Sequence, residues 1–252
     1  MFDYVLFKQL SAKNKDAQKP LEVGFIKTEI AKRLIDKLLF IRCSPQTICL
    51  EGEFPQTAIK RLKQRYPDVV ISDTLQTNSD MILSNGQLHL TDDLSRTLQR
   101  YGEHLKPDGI LLFSTFGSTH LEEIKKCWQG IDPLPHINAM LDMHDLGDML
   151  LKSPFYDAVM DSETLNLQYD HIDKLIADIR ALNEPLSDTK MRRTLTGKHR
   201  WQRFVLALEK SLSLSCEIVY GYALKWQKNT SQKLDETTIR IDIDTLKKSL
   251  QS

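Results

Sequence analysis

The sequence carries no net charge: 34 lysines and arginines are matched by 34 aspartates and glutamates over 252 residues. A balanced chain has no overall field to draw in nucleic acid or an anionic membrane, so neither is expected as a partner, and any partner must be met by a local patch. No apolar run approaches the length of a membrane span. The N-terminus, MFDYVLFKQLSAKNKD, interrupts its short apolar run with a lysine and continues into charge. It lacks the long apolar core and small-residue cleavage site of a signal peptide, and a cytoplasmic location is expected. The four cysteines, Cys43, Cys49, Cys127 and Cys216, have no CxxC spacing and sit in apolar runs. They read as reduced, buried small hydrophobes. The seven histidines form neither HxxxH nor HExxH. His136 and His144 lie eight apart near the acids of DMHD (142–145), but no three convergent ligands can be named, and no metal is expected. There is no internal repeat and no low-complexity tract.

What is present is enough for a large core: 41% of the residues are hydrophobic and 27% charged, the balance of an ordinary globular protein. FIKTEIAKRLIDKLL (25–39) repeats apolar residues at helical spacing, with lysines and a glutamate on the opposite face. TICLEG (47–52) is a short apolar run ending in an acid and a glycine, as suits a buried parallel strand. A helix is expected over 57–66, then strands at PDVVISD (67–73) and DMILSN (80–85), a helix over 93–105, and a strand at ILLFSTF (110–116). Between the last two, Lys106-Pro107-Asp108-Gly109 reads as a turn, proline blocking the helix and glycine permitting a positive φ. Strands alternating with helices imply a parallel sheet and an α/β class.

From about residue 119 helical runs dominate, at 120–131, 144–151, 169–182 and 201–212, with one or two strands in 156–169 and another at 216–226. The expected organisation is a helical segment over 1–46, a main domain over 47–226 with a helical insert over about 119–212, and a polar tail over 227–252, either a small accessory element or partly disordered. The stretch 183–200 is polar and basic and reads as a loop or mobile lid.

Two groups of motifs carry a resemblance. SNGQLHLTDDLSRTLQRYGEHLKPDGILLFSTFG (84–117) resembles the middle of class I methyltransferases through Ser84, Asn85, Asp93, Leu94, Leu105, Pro107 and Gly109, with Leu90 where relatives often carry tryptophan. FSTFGSTHLEEIKKCW (113–128), PHINAMLDMHDLGDMLLKSPF (135–155), VMDSETLNLQY (159–169) and SCEIVYGYALKW (215–226) resemble the BioC family, malonyl-acyl-carrier-protein O-methyltransferases of biotin synthesis. The resemblance covers roughly residues 80–226. A sister resemblance is to the methyltransferase-like proteins of complex I assembly, one of which is associated with arginine hydroxylation.

The resemblance implies a Rossmann-like class I methyltransferase sheet with helices on both faces and S-adenosylmethionine as cofactor. The family's first strand ends in a D/E-x-G-x-G-x-G turn, whose glycines let the backbone approach the cofactor. Here the equivalent stretch is LEGEFPQT (50–57), where Glu51 and Gly52 remain while Glu53, Phe54 and Pro55 fill the turn. Asp73 stands 22 residues beyond Glu51, near the roughly 20-residue separation expected of an acid that takes the ribose hydroxyls. Only residues 74–79 separate it from the next strand, where relatives place a further helix and strand, so the sheet should be one strand short on that side. Cofactor contacts are therefore expected at Glu51, Gly52, Asp73, Ser84 and Asn85. Substrate contacts are expected at His136, Tyr169, Arg180, Arg192 and Arg193. No general base is needed for a carboxylate nucleophile that is already ionised, and no catalytic residue is singled out. KMRRTLTGKHR (190–200) has six basic residues and no acid, a patch that could meet an acidic acyl-carrier protein. The degenerate turn leaves two alternatives: a binding or assembly protein that no longer binds the methyl donor normally, and a hydroxylase of the complex I assembly type. Nothing in the sequence fixes an oligomeric state.

Overall fold

The computed structural model describes residues 3–17 and 24–226, together with the backbone of 231–233 and 239–241. Helix α1 (Tyr4–Ala17) is tied at its start to the far half of the chain, the Asp3 amide donating to the Ser187 carbonyl at 2.7 Å. Helix α2 (Phe25–Lys37) precedes the first strand, β1 (Thr47–Gly52), and then come α3 (Gln56–Arg65), β2 (Val70–Ser72), β3 (Ser79–Asn85), α4 (Leu94–His104) and β4 (Leu105–Phe116). The second half contributes α5 (Glu122–Gln129), α6 (Met143–Leu151), β5 (Phe155–Gln168), α7 (Ile172–Ala181), α8 (Lys198–Leu208) and β6 (Ser213–Lys225).

Six strands form one sheet in the order β2-β1-β3-β4-β6-β5. The first four are parallel, as their apolar runs and helical crossovers require, and β6 runs antiparallel to both β4 and β5. The single strand in 155–168 thus belongs to the sheet, at its outer edge. The opposite edge is β2, in keeping with the short connection at 74–79. Register sets Gly52 beside Asn85 and Asn85 beside Ser114, so β1 and β3 end together while β4 runs on past them to Phe116. That row is the floor of the candidate site.

Helices cover both faces of the sheet. On one, Leu34 and Leu38 from the α2 region, Leu62 of α3, Trp128 of α5, Leu175 of α7 and Phe204 of α8 join Ile48, Leu83 and Leu112 in a single core. On the other, Leu98 and Tyr101 of α4 and Leu146 and Leu150 of α6 close over Ile82, Leu111 and Phe113. Each such side chain stabilises the fold by about 1.5–3 kcal/mol relative to exposure. Ionic contacts orient α2 further: Arg33 and the Tyr220 hydroxyl share Glu163, each at 2.7 Å, and Lys37 reaches Asp161 at 2.7 Å. Asp93 caps α4, its carboxylate accepting from the Arg96 amide at 2.9 Å.

Two local expectations are corrected. The turn at 106–109 is a bulge inside β4, because the pairing with β3 jumps from Leu105 to Ile110 while β3 advances only from Ser79 to Met81. The left-handed residue there is Asp108 (φ 59°), not Gly109. Gly109 is needed for close approach instead, since a Cβ would lie 2.8 Å from the Lys106 carbonyl oxygen. The basic stretch 183–200 is also not loop throughout: α8 begins at Lys198, and Asn138 fastens the stretch at its start, donating to the Pro185 carbonyl and accepting from the Ser187 amide. In the tail, β7 (Ser231–Lys233) pairs antiparallel with β8 (Ile239–Ile241). The reading of 227–230, 234–238 and 242–252 lies outside the described residues.

Candidate functional site

The paired ends of β1 and β3 leave little room for side chains, and the residues there reflect it. Gly52 has φ 97°, and a Cβ on it would run into the Asn85 carbonyl and the Gln87 side chain, so only glycine fits. Asn85 is buried and binds in several directions. Its Oδ1 accepts from the Ser114 hydroxyl at 2.8 Å, and its Nδ2 donates to the Glu53 carbonyl at 2.8 Å and, more weakly, toward the Lys27 carbonyl at 3.4 Å. One amide thereby ties β3, β4, the turn after β1 and the first turn of α2 together. Lys27 is 9% exposed and its ammonium lies 3.4 Å from the Glu53 carboxylate. Phe54 is half-buried and packs against the core beneath α2.

Glu51 and Asp73 stand at the ends of neighbouring strands, Cys49 of β1 pairing with Ser72 of β2. Asp73 is exposed. Glu51 is 24% exposed, with Arg100 at 3.8 Å. Burial raises its proton affinity, and the charges of Arg100 and His104 oppose that only in part. Ser84 points away from the edge into the core, its hydroxyl 3.2 Å from the Tyr101 hydroxyl. Burial and the nearby Glu51 charge push the Tyr101 phenol up to about 12.

Beside this edge lies a sealed ionic cluster. His89, just after β3, places Nδ1 3.0 Å from the Thr115 hydroxyl and Nε2 3.0 Å from Glu184. His120 stacks on Phe116 at 3.7 Å, has no hydrogen-bond partner on either ring nitrogen among the described residues, and lies 3.9 Å from the second Glu184 oxygen. Burial drives the Glu184 carboxyl up, but His89, His120 and Lys27 together bring it below the usual carboxylate range. His89 also borders a cavity of about 290 Å³ lined by Leu88, Leu94, Phe116, Leu141 and Met149.

The insert supplies a second, more polar cavity of about 530 Å³, with Lys125, Asp132, His136, Asn138 and Lys190 in its lining. Asp132 organises it. Its Oδ1 accepts from the Leu134 amide at 3.1 Å and meets His136 Nε2 at 2.9 Å, while its Oδ2 lies 3.3 Å from Arg192. Burial acts against the Asp132 charge, yet the His136 and Leu134 hydrogen bonds and Arg192 hold the carboxyl below its usual range. The His136 ring lies flat on Trp128 at 3.8 Å, and Trp128 stacks in turn on Phe204 at 4.6 Å.

The structure therefore unites His136 and Arg192 at one carboxylate. Among the described contacts the other three candidates do not meet that carboxylate. Tyr169 donates its hydroxyl to Asp178 of α7 at 2.8 Å, and Arg180 and Arg193 are exposed. Sequence reasoning passed over Asp132, Lys27 and Glu184. Asp132 could have been found from its place four residues before His136. Glu184 gave no local signal, because its partners are 64 and 95 residues away. The four cysteines are free thiols, and Cys216 is pushed up to about 12 by burial and nearby acids. Among the described residues no helix is long and apolar enough to cross a membrane.

No family model matches the sequence. Curated relatives do match, over most of its length. The malonyl-[acyl-carrier protein] O-methyltransferase of Gallionella capsiferriformans is 30% identical over 244 residues, covering 79% of this chain and 84% of the relative. The malonyl-[acyl-carrier protein] O-methyltransferase 1 of Coxiella burnetii is 29% identical over 254 residues, 89% of each chain. Among solved structures, phosphoethanolamine N-methyltransferase 2 of Haemonchus contortus aligns at 14% identity and a TM-score of 0.39, covering 78% of this chain and 53% of that one. By the extent of its similarity to the curated relatives, the chain belongs to the family of malonyl-[acyl-carrier protein] O-methyltransferases.

Proposed function

We propose that this chain is a BioC-type O-methyltransferase that uses S-adenosylmethionine to methylate the free carboxylate of malonyl-acyl-carrier protein in biotin synthesis. The observation that carries the reading is the similarity to relatives of that name, which extends across both the sheet and the helical insert. No observation favours a binding, assembly or hydroxylase role.

The residues at the carboxyl edge fit the donor chemically, though not through a glycine turn. Glu51 and Asp73, on adjacent strand ends, are acceptors suited to ribose hydroxyls. Gly52 is exposed, so backbone is open there. When bound, S-adenosylmethionine supplies a methyl group on an electrophilic sulfonium. What remains for the protein is alignment and exclusion of water. The malonyl carboxylate is ionised near neutral pH and attacks without a base. In this reading the cavity bordered by Asp132 and His136 receives the acyl group, and Asp132 fixes both His136 and Arg192 so that neither swings freely. His89, Thr115 and Glu184 form a buried cluster at the ends of β3 and β4. The basic residues of 190–200, among them exposed Arg193 and Lys198 at the start of α8, meet an acidic carrier protein. A cytoplasmic location accompanies this reading.

Expression of the chain in a biotin-requiring strain that lacks its own malonyl-carrier methyltransferase tests the assignment. Growth without biotin is expected. A well-expressed, soluble protein that fails to restore growth contradicts it.

A further inference from the structure

The face of the sheet that carries α2 is not covered evenly. Leu165, Leu214 and Ile218 of β5 and β6 share a core with Leu175 of α7 and Phe204 of α8. Elsewhere on the same two strands Tyr222 is half-buried and Val159 is 57% exposed. The chain leaving α2 adds Phe40, 88% exposed, and Ile41. With Leu112 and Tyr220 these residues wall a cavity of about 550 Å³, a volume typical of small-molecule sites. Apolar side chains gathered in one exposed patch, unlike scattered ones, mark a place where something binds. Three residues of the lining are charged: Lys37, Arg42 and Asp161. Lys37 and Asp161 satisfy one another at 2.7 Å, and the Lys37 ammonium also sits 4.2 Å from the centre of the Tyr220 ring. Arg42 is exposed and makes no hydrogen bond or ion pair among the described residues. The lining therefore carries one uncompensated positive charge, on a planar fork of donors that matches a carboxylate. The cavity stands away from the donor edge. Asn85 reaches the Lys27 carbonyl at the start of α2, and Lys37 is ten residues further on, about 15 Å along the helix axis.

We propose that this cavity is a second binding site, for a medium-chain aliphatic carboxylate whose chain lies against Phe40, Val159 and Tyr222 and whose head meets Arg42. Each carbon of the chain gains by leaving water, and the carboxylate fixes which end stays at the mouth. An amine head would meet the Arg42 charge with repulsion, since Asp161 is already engaged by Lys37. The bound ligand bridges the end of α2 to β5 and β6, so it stabilises the folded chain. The inference does not depend on the methyl-donor reading, because no residue of the donor edge or of the His136 cavity lines this one.

Calorimetric titration of the full chain with octanoate, 1-octanol and octylamine tests this, since the three share a chain and differ in the charge of the head. Octanoate is expected to saturate at one molecule per chain, to raise Tm, and to bind about three- to tenfold more tightly than 1-octanol, with octylamine weakest. Arg42→Met should bring octanoate down to the affinity of 1-octanol and leave 1-octanol unchanged, and Arg42→Lys should keep part of the preference. Phe40→Ala should weaken octanoate and 1-octanol alike by about three- to tenfold. Both positions are exposed, and the Tm of each unliganded variant checks its fold. Octanoate that does not saturate or binds no better than 1-octanol overturns the site, as does octanoate affinity unchanged by Arg42→Met or by Phe40→Ala. A wild-type chain that sediments as a dimer, with Phe40→Ala a monomer, gives the apolar wall to a second copy and overturns it too.

Discussion

Glu184 Oε1 lies 3.0 Å from His89 Nε2, and both side chains are almost wholly sealed from solvent. The contact joins the segment after α7 to the loop after β3, and through Thr115 and His120 it reaches both ends of the β4–α5 connection. Removing one member of such a buried pair leaves the other without compensation. Glu184→Leu should therefore cost about 3 kcal/mol in urea unfolding, and the double variant with His89→Leu should lose less than the sum of the two single variants.

The same cluster sets a pH dependence. Burial lowers the His120 imidazole to about 3; His89 and Lys125 act with it, and the Glu184 charge opposes it without prevailing. An unfolded His120 takes its proton near pH 6.5, well before the folded one. Stability is thus fully present above about pH 6.5 and falls as the pH drops toward 3, by about 2 kcal/mol at pH 5. Glu184, held below its usual range, adds a loss of the same sign at more acid pH. Urea midpoints at pH 7 and pH 5 measure the slope, and His120→Leu should flatten it.

At the end of β1 the constraint is steric. Gly52→Ala forces a Cβ against the Asn85 carbonyl at a φ of 97°, and should destabilise the chain by about 1–3 kcal/mol in thermal or urea unfolding. It should weaken S-adenosylhomocysteine binding too, because Gly52 lies at the strand end to which the donor is assigned.

Asp132 makes no claim to chemistry of its own; it holds His136 and Arg192. Asp132→Asn removes the charge that fixes both. On malonyl-carrier protein its KM should rise about tenfold with kcat changed much less, the signature of lost uniform binding. An equal fall in kcat and kcat/KM would place the residue in the transition state instead.

Much of this arrangement was legible in the chain, for identifiable reasons. Strands β1, β3 and β4 announce themselves as apolar runs between turns, and α2 and α4 as stripes at helical spacing, because burial on both sheet faces imposes those patterns. Glu51-Gly52 and Asp73 could be placed at strand ends because an acid closing an apolar run is a local signal. Lys27, Asp132 and Glu184 were not, because their meaning comes from contacts the sequence does not display: Lys27 meets Glu53 only when α2 docks on the sheet, and Glu184 finds His89 only across the insert. Ser84 illustrates the converse, its place in a recognisable motif saying nothing about its side chain, which the pleat of β3 turns inward to Tyr101. Asp108, not its glycine neighbour, adopts the positive φ in the β4 bulge, where Asp108 accepts a hydrogen bond from Tyr156 at 2.7 Å.

The central claim is methyl transfer to the carboxylate of a carrier-bound malonyl group, and intact-protein mass spectrometry reads it directly. Malonyl-acyl-carrier protein incubated with this chain and S-adenosylmethionine should gain the mass of one methylene per acyl group, and acetyl-acyl-carrier protein, which offers no free carboxylate, should gain none. A folded protein that leaves the malonyl carrier unchanged at saturating donor would contradict the account.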